Sequence, residues 1–242
     1  MTQYQQNTYG DTIAGVYDQF YPAHDPACID LLAELAGPGP ALELGIGTGR
    51  IALPLLDRGV AVAGIDASTA MVAKLAAKPR GAEIPVHVGS FEQFALDRPF
   101  RLIYVVFNTF FNLPSQDAQV RCFESVAGHL ADDGCFVIEA FVPDLKRYVD
   151  DQSVRLIGIS DQGVRLDVAQ LDPVAQRVES RHLTVSGEGL HSYPVKLRYA
   201  WPSELDLMAR LAGLALQARW GSWSKEPFTR ESGKHISVYG WA

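Results

Sequence analysis

Short apolar stretches alternate with amphipathic stretches between residues 41 and 141 of the chain. The apolar stretches have the length and composition of buried strands, and they cover residues 41–45, 60–66, 86–90, 100–108 and 134–141. The amphipathic stretches repeat apolar residues at helical spacing, and they cover residues 50–58, 69–78 and 115–130. This alternation predicts a parallel sheet with helices on both of its faces.

The hydrophobic pattern changes after residue 150. Alternation with a period of two covers residues 164–168 and 178–185, and turn signals separate these stretches. We therefore predict an antiparallel, β-rich insertion of three or four strands within residues 150–201, which serves as a lid or as a dimer surface. The other predicted elements are a helical cap over residues 1–37, a helix over 203–211, and strands over 214–220 and 235–241.

A glycine-rich loop joins the first predicted strand to the first predicted helix. Its glycines, Gly45, Gly47 and Gly49, suit a sharp turn and a close approach of the backbone to a ligand. The spacing is GxGxG, and Arg50 occupies the place of the third glycine in the dinucleotide fingerprint, so that fingerprint is not met. Glu43 precedes the loop, where a carboxylate repels a pyrophosphate and suits a cationic sulfonium or ammonium group.

A second carboxylate lies at the end of the next predicted strand. Asp66 follows Gly49 by 17 residues, and nucleotide-binding α/β folds place a ribose-binding acid at a spacing of about 20 residues. We therefore expect Asp66 to accept hydrogen bonds from both hydroxyl groups of a ribose.

The segment ALELGIGTGR at residues 41–50, together with GID at 64–66, resembles the S-adenosylmethionine-dependent methyltransferase superfamily of class I. The layout is also similar to glycine and amino-sugar N-methyltransferases. The resemblance implies one Rossmann-like α/β domain over residues 1–242, with a seven-stranded, mainly parallel sheet whose last strand is antiparallel. It also implies S-adenosyl-L-methionine as the donor, S-adenosyl-L-homocysteine as the product, and a small-molecule acceptor with a nitrogen or oxygen nucleophile.

The resemblance also assigns parts of the donor to residues. Glu43 and the glycine loop meet the methionyl portion, Asp66 holds the ribose, and Met71 packs near the adenine. Many members have an acidic residue after the third strand, where this chain has Ser90. The predicted donor-binding residues are Tyr9, Glu43, Gly45, Gly47, Gly49, Arg50, Asp66, Ala67, Met71, Ser90, Phe91 and Phe107.

Residues for the acceptor are predicted at two places. A tyrosine-rich N-terminal segment is expected to close over the donor, and Asn108 ends the fourth predicted strand at the same edge of the sheet. We predict catalytic roles for Tyr17, Tyr21 and Asn108, with helix packing as the alternative role for Tyr17. Methyl transfer releases a neutral thioether, so the protein mainly positions the reactants, and a base is needed only if the acceptor must lose a proton.

Composition narrows the remaining possibilities. The net charge of -7 and the lack of a long basic run argue against a nucleic-acid partner. The three cysteines form no cluster, so we predict no metal site and a reducing, cytoplasmic location. We also predict no membrane association and a possible homodimer. Two alternatives stay open, a donor-binding protein without transfer activity and an NAD-dependent oxidoreductase, the second disfavoured by Arg50.

Overall fold

Two β-sheets organise the computed structural model, which describes residues 4–161 and 163–242. The strands of the large sheet are β1 (Ala41–Leu44), β2 (Val62–Asp66), β3 (Val86–Val88), β4 (Phe100–Val105), β5 (Leu130–Phe141), β10 (Leu214–Trp220) and β11 (Lys234–Trp241). They lie in the order β10-β11-β5-β4-β1-β2-β3. The small sheet contains β6 (Gln152–Ser160), β7 (Gly163–Asp172), β8 (Arg177–Ser186) and β9 (Gly189–Arg198). Residues 1–3 of the predicted cap and residue 162 of the predicted insertion lie outside the described residues.

The pairing of the large sheet confirms the predicted fold class. Strands β3, β2, β1, β4 and β5 run parallel, and β11 is antiparallel to both of its neighbours. All four residues of β1 are buried, as expected for a central strand that is covered by helices on both faces. The helices are α1 (Thr8–Ile13), α2 (Tyr17–Phe20), α3 (Pro26–Ala36), α4 (Ala52–Asp57), α5 (Thr69–Ala76), α6 (Gln116–Ala127) and α7 (Pro202–Leu211).

The small sheet forms the antiparallel insertion, and it has four strands in sequential order. On β7 the side chains alternate between a buried inner face with Asp167, Ala169 and Leu171 and an exposed outer face. Ala169 and Leu171 belong to the same core as β4 and β5 of the large sheet, so the insertion is anchored to the main domain.

Helices α1 and α2 lie between the two sheets. Ile13 of α1 packs with Met71 of α5, and the ring of Phe20 meets that of Tyr193 on β9 at a centroid distance of 5.7 Å. The N-terminal segment therefore covers the carboxyl edge of the large sheet on one side and contacts the insertion on the other.

Several predicted boundaries are wrong by a few residues. The fourth strand ends at Val105 and not at Asn108, because Phe107 and Asn108 adopt left-handed backbone angles with φ of 59° and 65°. The third strand ends at Val88 and not at Ser90, whose hydroxyl accepts a hydrogen bond from the backbone of Glu92 in a turn. The longest helix of the described chain is α6, with 12 residues, and no helix there is long and apolar enough to cross a membrane.

Candidate active site

The glycine loop after β1 turns through left-handed backbone conformations. The φ angles of Gly45, Gly47 and Gly49 are 74°, 56° and 77°. A Cβ atom on Gly45 would lie 2.4 Å from the Thr109 side chain, so only glycine lets these segments pack together. A Cβ atom on Gly47 would meet only the Gly45 carbonyl oxygen, at 4.0 Å, and would otherwise project into open space.

Asp66 fixes this loop from the end of β2. One carboxylate oxygen accepts a hydrogen bond from the Gly47 amide at 2.7 Å, and the other accepts one from the Ser68 amide at 2.8 Å. Burial raises the pKa of Asp66, and the two amide hydrogen bonds oppose that effect. Each oxygen keeps a second lone pair, so the carboxylate can still accept hydrogen bonds from a ligand.

Ser68 connects this site to the N-terminal segment. Its hydroxyl caps the N-terminus of α5 by accepting a hydrogen bond from the Met71 amide. The same hydroxyl donates to a carboxylate oxygen of Asp11 on α1 at 2.5 Å. Helix α1 is therefore hydrogen-bonded to the N-terminus of α5, the helix that follows Asp66.

Glu43 lies beneath the loop and does not line the open cleft. The residue is 3% exposed, and the Tyr104 hydroxyl donates a hydrogen bond of 2.9 Å to its carboxylate. Burial raises the pKa of Glu43 to about 8, and the hydrogen bond from Tyr104 opposes that shift. The contact of Glu43 with a cationic ligand stays a prediction.

The buried Glu43 carboxyl gives a testable pH dependence of folding. Because its folded pKa of about 8 exceeds its ordinary value of 4.5, protonation stabilises the folded state, and this stabilisation is lost as the pH rises through 8. Relative to Glu43→Gln, the parent should lose on the order of 3 kcal/mol of unfolding free energy between pH 5 and pH 8.

Urea unfolding at several pH values measures this difference. Glu34→Gln is the matched control, because Glu34 is an exposed partner of Lys225 and should leave the pH dependence of the parent unchanged. Parallel pH curves for the parent and Glu43→Gln would show that Glu43 is ionised in the folded protein.

A cleft opens between the glycine loop, α5 and the N-terminal segment. It brings together many residues predicted from the sequence, namely Tyr9, Tyr17, Gly45, Gly47, Asp66, Ala67, Met71, Ser90 and Phe91. Its wall also contains residues that the sequence reasoning did not assign to the site: Gln6, Gly10, Ser68, Thr109, Asn112 and Leu113.

Residues 109–113 reach the cleft because the chain reverses after β4. The left-handed Phe107 and Asn108 lead into a 3₁₀ turn, Thr109–Asn112, that folds back against the glycine loop. The signal that could have revealed this turn is Asn108 itself, since asparagine tolerates the left-handed region better than most residues.

The tyrosines of the N-terminal segment form an aromatic wall. The rings of Tyr17 and Tyr21 have a centroid distance of 5.0 Å, and Tyr21 meets Phe107 at 5.1 Å. Burial raises the pKa of Tyr17 to about 12 and raises that of Tyr9 as well. At neutral pH both hydroxyls are therefore protonated, so each can donate and accept hydrogen bonds.

Other predicted residues lie beside the cleft and do not line it. Arg50 donates to the Ala23 carbonyl oxygen at 3.1 Å and lies 4.3 Å above the Phe107 ring, while its buried Nε has no hydrogen-bond partner among the described residues. The Asn108 side-chain oxygen accepts a hydrogen bond of 2.7 Å from the Phe141 amide, which ties the loop to the end of β5. The remaining predicted residues outside the lining are Tyr21, Glu43, Gly49 and Phe107.

Comparisons with known proteins agree with this geometry. The sequence profile of the family described as methyltransferase domain matches residues 41–134, which include the glycine loop and Asp66. The solved structure of the CcbJ methyltransferase from Streptomyces caelestis is 36% identical and superposes with a TM-score of 0.92, covering 99% of this chain and 100% of that chain. This chain belongs to the S-adenosylmethionine-dependent methyltransferases.

Two further proteins are similar to this methyltransferase over nearly its full length. The cypemycin N-terminal methyltransferase of a Streptomyces species is 25% identical over 238 residues, which are 96% of this chain and 97% of that protein. The amino pentose methyltransferase CalS10 from Micromonospora echinaspora, solved with S-adenosylmethionine bound, shares the fold at a TM-score of 0.68 and 20% identity, covering 98% of each chain. Membership of this family removes the NAD-dependent oxidoreductase from consideration.

The cleft of the methyltransferase is chemically complementary to S-adenosylmethionine, which is the methyl donor of the family. Open space beside Gly47 allows the ligand to approach the backbone closely. The Asp66 carboxylate, which lines the cleft, can accept hydrogen bonds from hydroxyl groups.

Proposed function

We propose that this methyltransferase methylates an amine nitrogen of a small molecule, in the cleft between the glycine loop and the N-terminal segment. One observation carries the choice of nitrogen. Among the described residues that line the cleft, Asp66 is the one carboxylate, both of its oxygens accept backbone hydrogen bonds, and no histidine is present. A hydroxyl acceptor needs a base, whereas a neutral amine already has a free lone pair.

The proposed donor-binding roles follow from the positions of the side chains. Asp66 accepts hydrogen bonds from the ribose, Gly47 allows close approach, and Met71 contacts the adenine. Arg50 is proposed to donate its unpartnered Nε–H to the carboxylate of the methionyl portion. When bound, the donor supplies an electrophilic methyl group on a cationic sulfur.

The N-terminal segment is proposed to position the acceptor and to exclude water. Tyr9 and Tyr17 line the cleft as protonated phenols, so their hydroxyls can donate to or accept from a polar acceptor. Packing of Ile13 against Met71 keeps this segment over the cleft. Positioning of this kind supplies much of the rate enhancement when the leaving group needs no acid.

The printed name of one relative supports nitrogen as the acceptor. The cypemycin N-terminal methyltransferase is named for transfer to a peptide N-terminus. We therefore include short peptides with free amino groups in the proposed acceptor class, next to amino sugars and other small amines. A cytoplasmic location and dimer formation through the insertion remain proposals.

Transfer of a radiolabelled methyl group tests this function. The protein is incubated with methyl-labelled S-adenosylmethionine and matched sets of amines, phenols and alcohols, and labelled products are identified by mass spectrometry. We expect label on amines, with S-adenosylhomocysteine formed in equal amount. Label on hydroxyl groups alone, or no label on any amine, would contradict the choice of acceptor.

A further inference from the structure

The outer face of the small sheet is apolar and exposed. It consists of the side chains of β6–β9 that point away from the side of the buried Asp167 and Ala169. On β6, Val154, Leu156 and Ile159 are 71%, 53% and 72% exposed. The other apolar side chains of this face, all at least partly exposed, are Val164, Leu166, Val168, Leu183, Val185, Leu190 and Pro194.

The pairing register shows that the sequence itself places apolar residues on the outer face. Leu166 of β7 is opposite Leu156 of β6 and Leu183 of β8. The residues that alternate with them point to the inner face, where the guanidinium group of Arg155 lies 3.6 Å from the Asp167 carboxylate. An antiparallel sheet with one solvated face normally has the reverse pattern, with polar side chains on the solvent side. The two-residue alternation therefore specifies an outer face that another surface covers.

Charged residues lie at one end of the outer face. Glu179 of β8 is opposite Lys196 of β9, with an ion pair of 2.8 Å, and Arg181 follows on the same face. An open groove of about 370 Å³ crosses the four strands beside these charges, and Val168 and Pro194 are in its lining. The face is therefore concave there and can receive opposing side chains. An apolar centre with a polar rim is the usual arrangement of a protein–protein interface.

The dimensions of the outer face suit a dimer. Strands β6–β9 have nine or ten residues each. With a rise of about 3.4 Å per residue and a strand spacing of about 4.8 Å, four such strands present roughly 500–650 Å² as a flat area. A stable interface buries about 800 Å² of accessible surface per partner, and the accessible surface of side chains exceeds a flat area. This one face therefore supplies most of the surface that a stable dimer needs.

The composition of the outer face favours a second copy of this chain over other partners. Its apolar residues are valine, leucine, isoleucine and proline, and it contains no aromatic residue. Membrane-bound surfaces and transient protein interfaces usually depend on aromatic and basic anchors. Permanent homodimer interfaces resemble a domain core cut in half, and an aliphatic face has that composition. The net charge of -7 also disfavours an anionic lipid surface.

We propose that the outer faces of two copies of this chain pack against each other about a twofold axis and form a homodimer. This inference specifies the surface for the dimer that the proposed function includes. Twofold symmetry uses the same patch on both copies, so the apolar residues of each copy are buried by those of the other. The inner faces point away from the interface, and each keeps its contact with its own N-terminal segment, as between Tyr193 and Phe20.

Analytical ultracentrifugation tests the interface. We expect the parent to sediment as a dimer at micromolar concentration. Leu156→Glu and Val185→Glu each place a carboxylate on the outer face, on two different strands, and each should raise the dimer dissociation constant roughly hundredfold or more. Both positions are exposed within one chain, so the variants should fold as the parent does.

Leu207→Glu is the matched control for these variants. Leu207 is 58% exposed, which is close to the exposure of Leu156, and it lies on α7, outside the small sheet. Its replacement should leave the dissociation constant unchanged. A monomeric parent would overturn the proposal, and so would a dimer that both Leu156→Glu and Val185→Glu leave intact. A monomeric parent that floats with vesicles of phosphatidylcholine and phosphatidylglycerol would assign the outer face to a lipid surface instead.

Calorimetry with S-adenosylhomocysteine separates this inference from the proposed function. The three variants should bind this compound as the parent does, because none of the substituted residues lines the donor cleft. A dimeric parent that binds no S-adenosylhomocysteine, or that methylates no amine, would contradict the proposed function and leave the interface standing. A monomeric parent that methylates amines would overturn the interface alone.

Discussion

Gly47→Ala should weaken binding of S-adenosylhomocysteine roughly ten- to hundredfold while leaving the fold intact. The added Cβ meets no protein atom closer than 4.0 Å, so it projects into the space that the ligand is proposed to occupy. The left-handed φ of 56° adds a folding cost of about 1–2 kcal/mol, which a stable domain tolerates. Calorimetric titration and thermal unfolding of the same samples separate the two effects.

Gly59→Ala is the matched control for this experiment. Gly59 has a φ of 83°, and a Cβ there would meet nothing within 4 Å, so the backbone cost is similar and the site lies in the turn after α4. We expect a comparable loss of stability and unchanged affinity for S-adenosylhomocysteine. If Gly47→Ala and Gly59→Ala bind S-adenosylhomocysteine with equal affinity, the ligand does not approach Gly47.

Asp66→Asn should lower S-adenosylhomocysteine affinity roughly hundredfold, the second large effect that we expect. The substitution removes the charge that would accept hydrogen bonds from the ribose. The side-chain NH₂ group of the asparagine would also face the backbone N–H of Gly47 or Ser68, so one of the two hydrogen bonds that hold the loop is lost. The unfolding free energy should fall by about 1–3 kcal/mol for the donor left unpaired.

Asp57→Asn tests whether any lost carboxylate has this effect. Asp57 is an exposed partner of Arg80 at the end of α4, so its replacement should change neither affinity nor stability measurably. If Asp66→Asn binds S-adenosylhomocysteine as tightly as Asp57→Asn does, Asp66 does not hold the ribose.

The fold and the conformation of the glycine loop could be predicted because both depend on residues that are close together in the sequence. Buried parallel strands appear as apolar stretches, and the turn after β1 has left-handed backbone angles at the alternate positions Gly45, Gly47 and Gly49, where glycine is favoured. Asp66 could be proposed as a ligand-binding residue because the strand order places the ends of β1 and β2 side by side.

The burial of Glu43 could not be predicted in the same way. Its depth below the loop depends on Tyr104, which is opposite it on β4 through a pairing that joins residues 61 positions apart. The sequence shows a carboxylate before a glycine loop, and it does not show which side of the strand faces the ligand. Packing from both faces of the sheet decides that the side chain is buried.

The pairing of Asp167 on β7 with His182 on β8 could not be predicted for a similar reason. Asp167 and His182 are brought together only by the register of β7 and β8, which turn lengths and side-chain packing determine. Two-residue alternation placed strands in this region, and it could not indicate which polar side chains face inward beside Tyr9. Long-range register, in contrast to strand formation, is weakly encoded in a single sequence.

A crystal structure of the protein with S-adenosylhomocysteine tests the central claim most directly. The account predicts the adenosyl group in the cleft, with both ribose hydroxyls within hydrogen-bond distance of the Asp66 carboxylate and the methionyl portion against the loop at Gly47. A ligand bound elsewhere on the chain, or one whose ribose does not contact Asp66, would contradict the assignment of this cleft as the donor site.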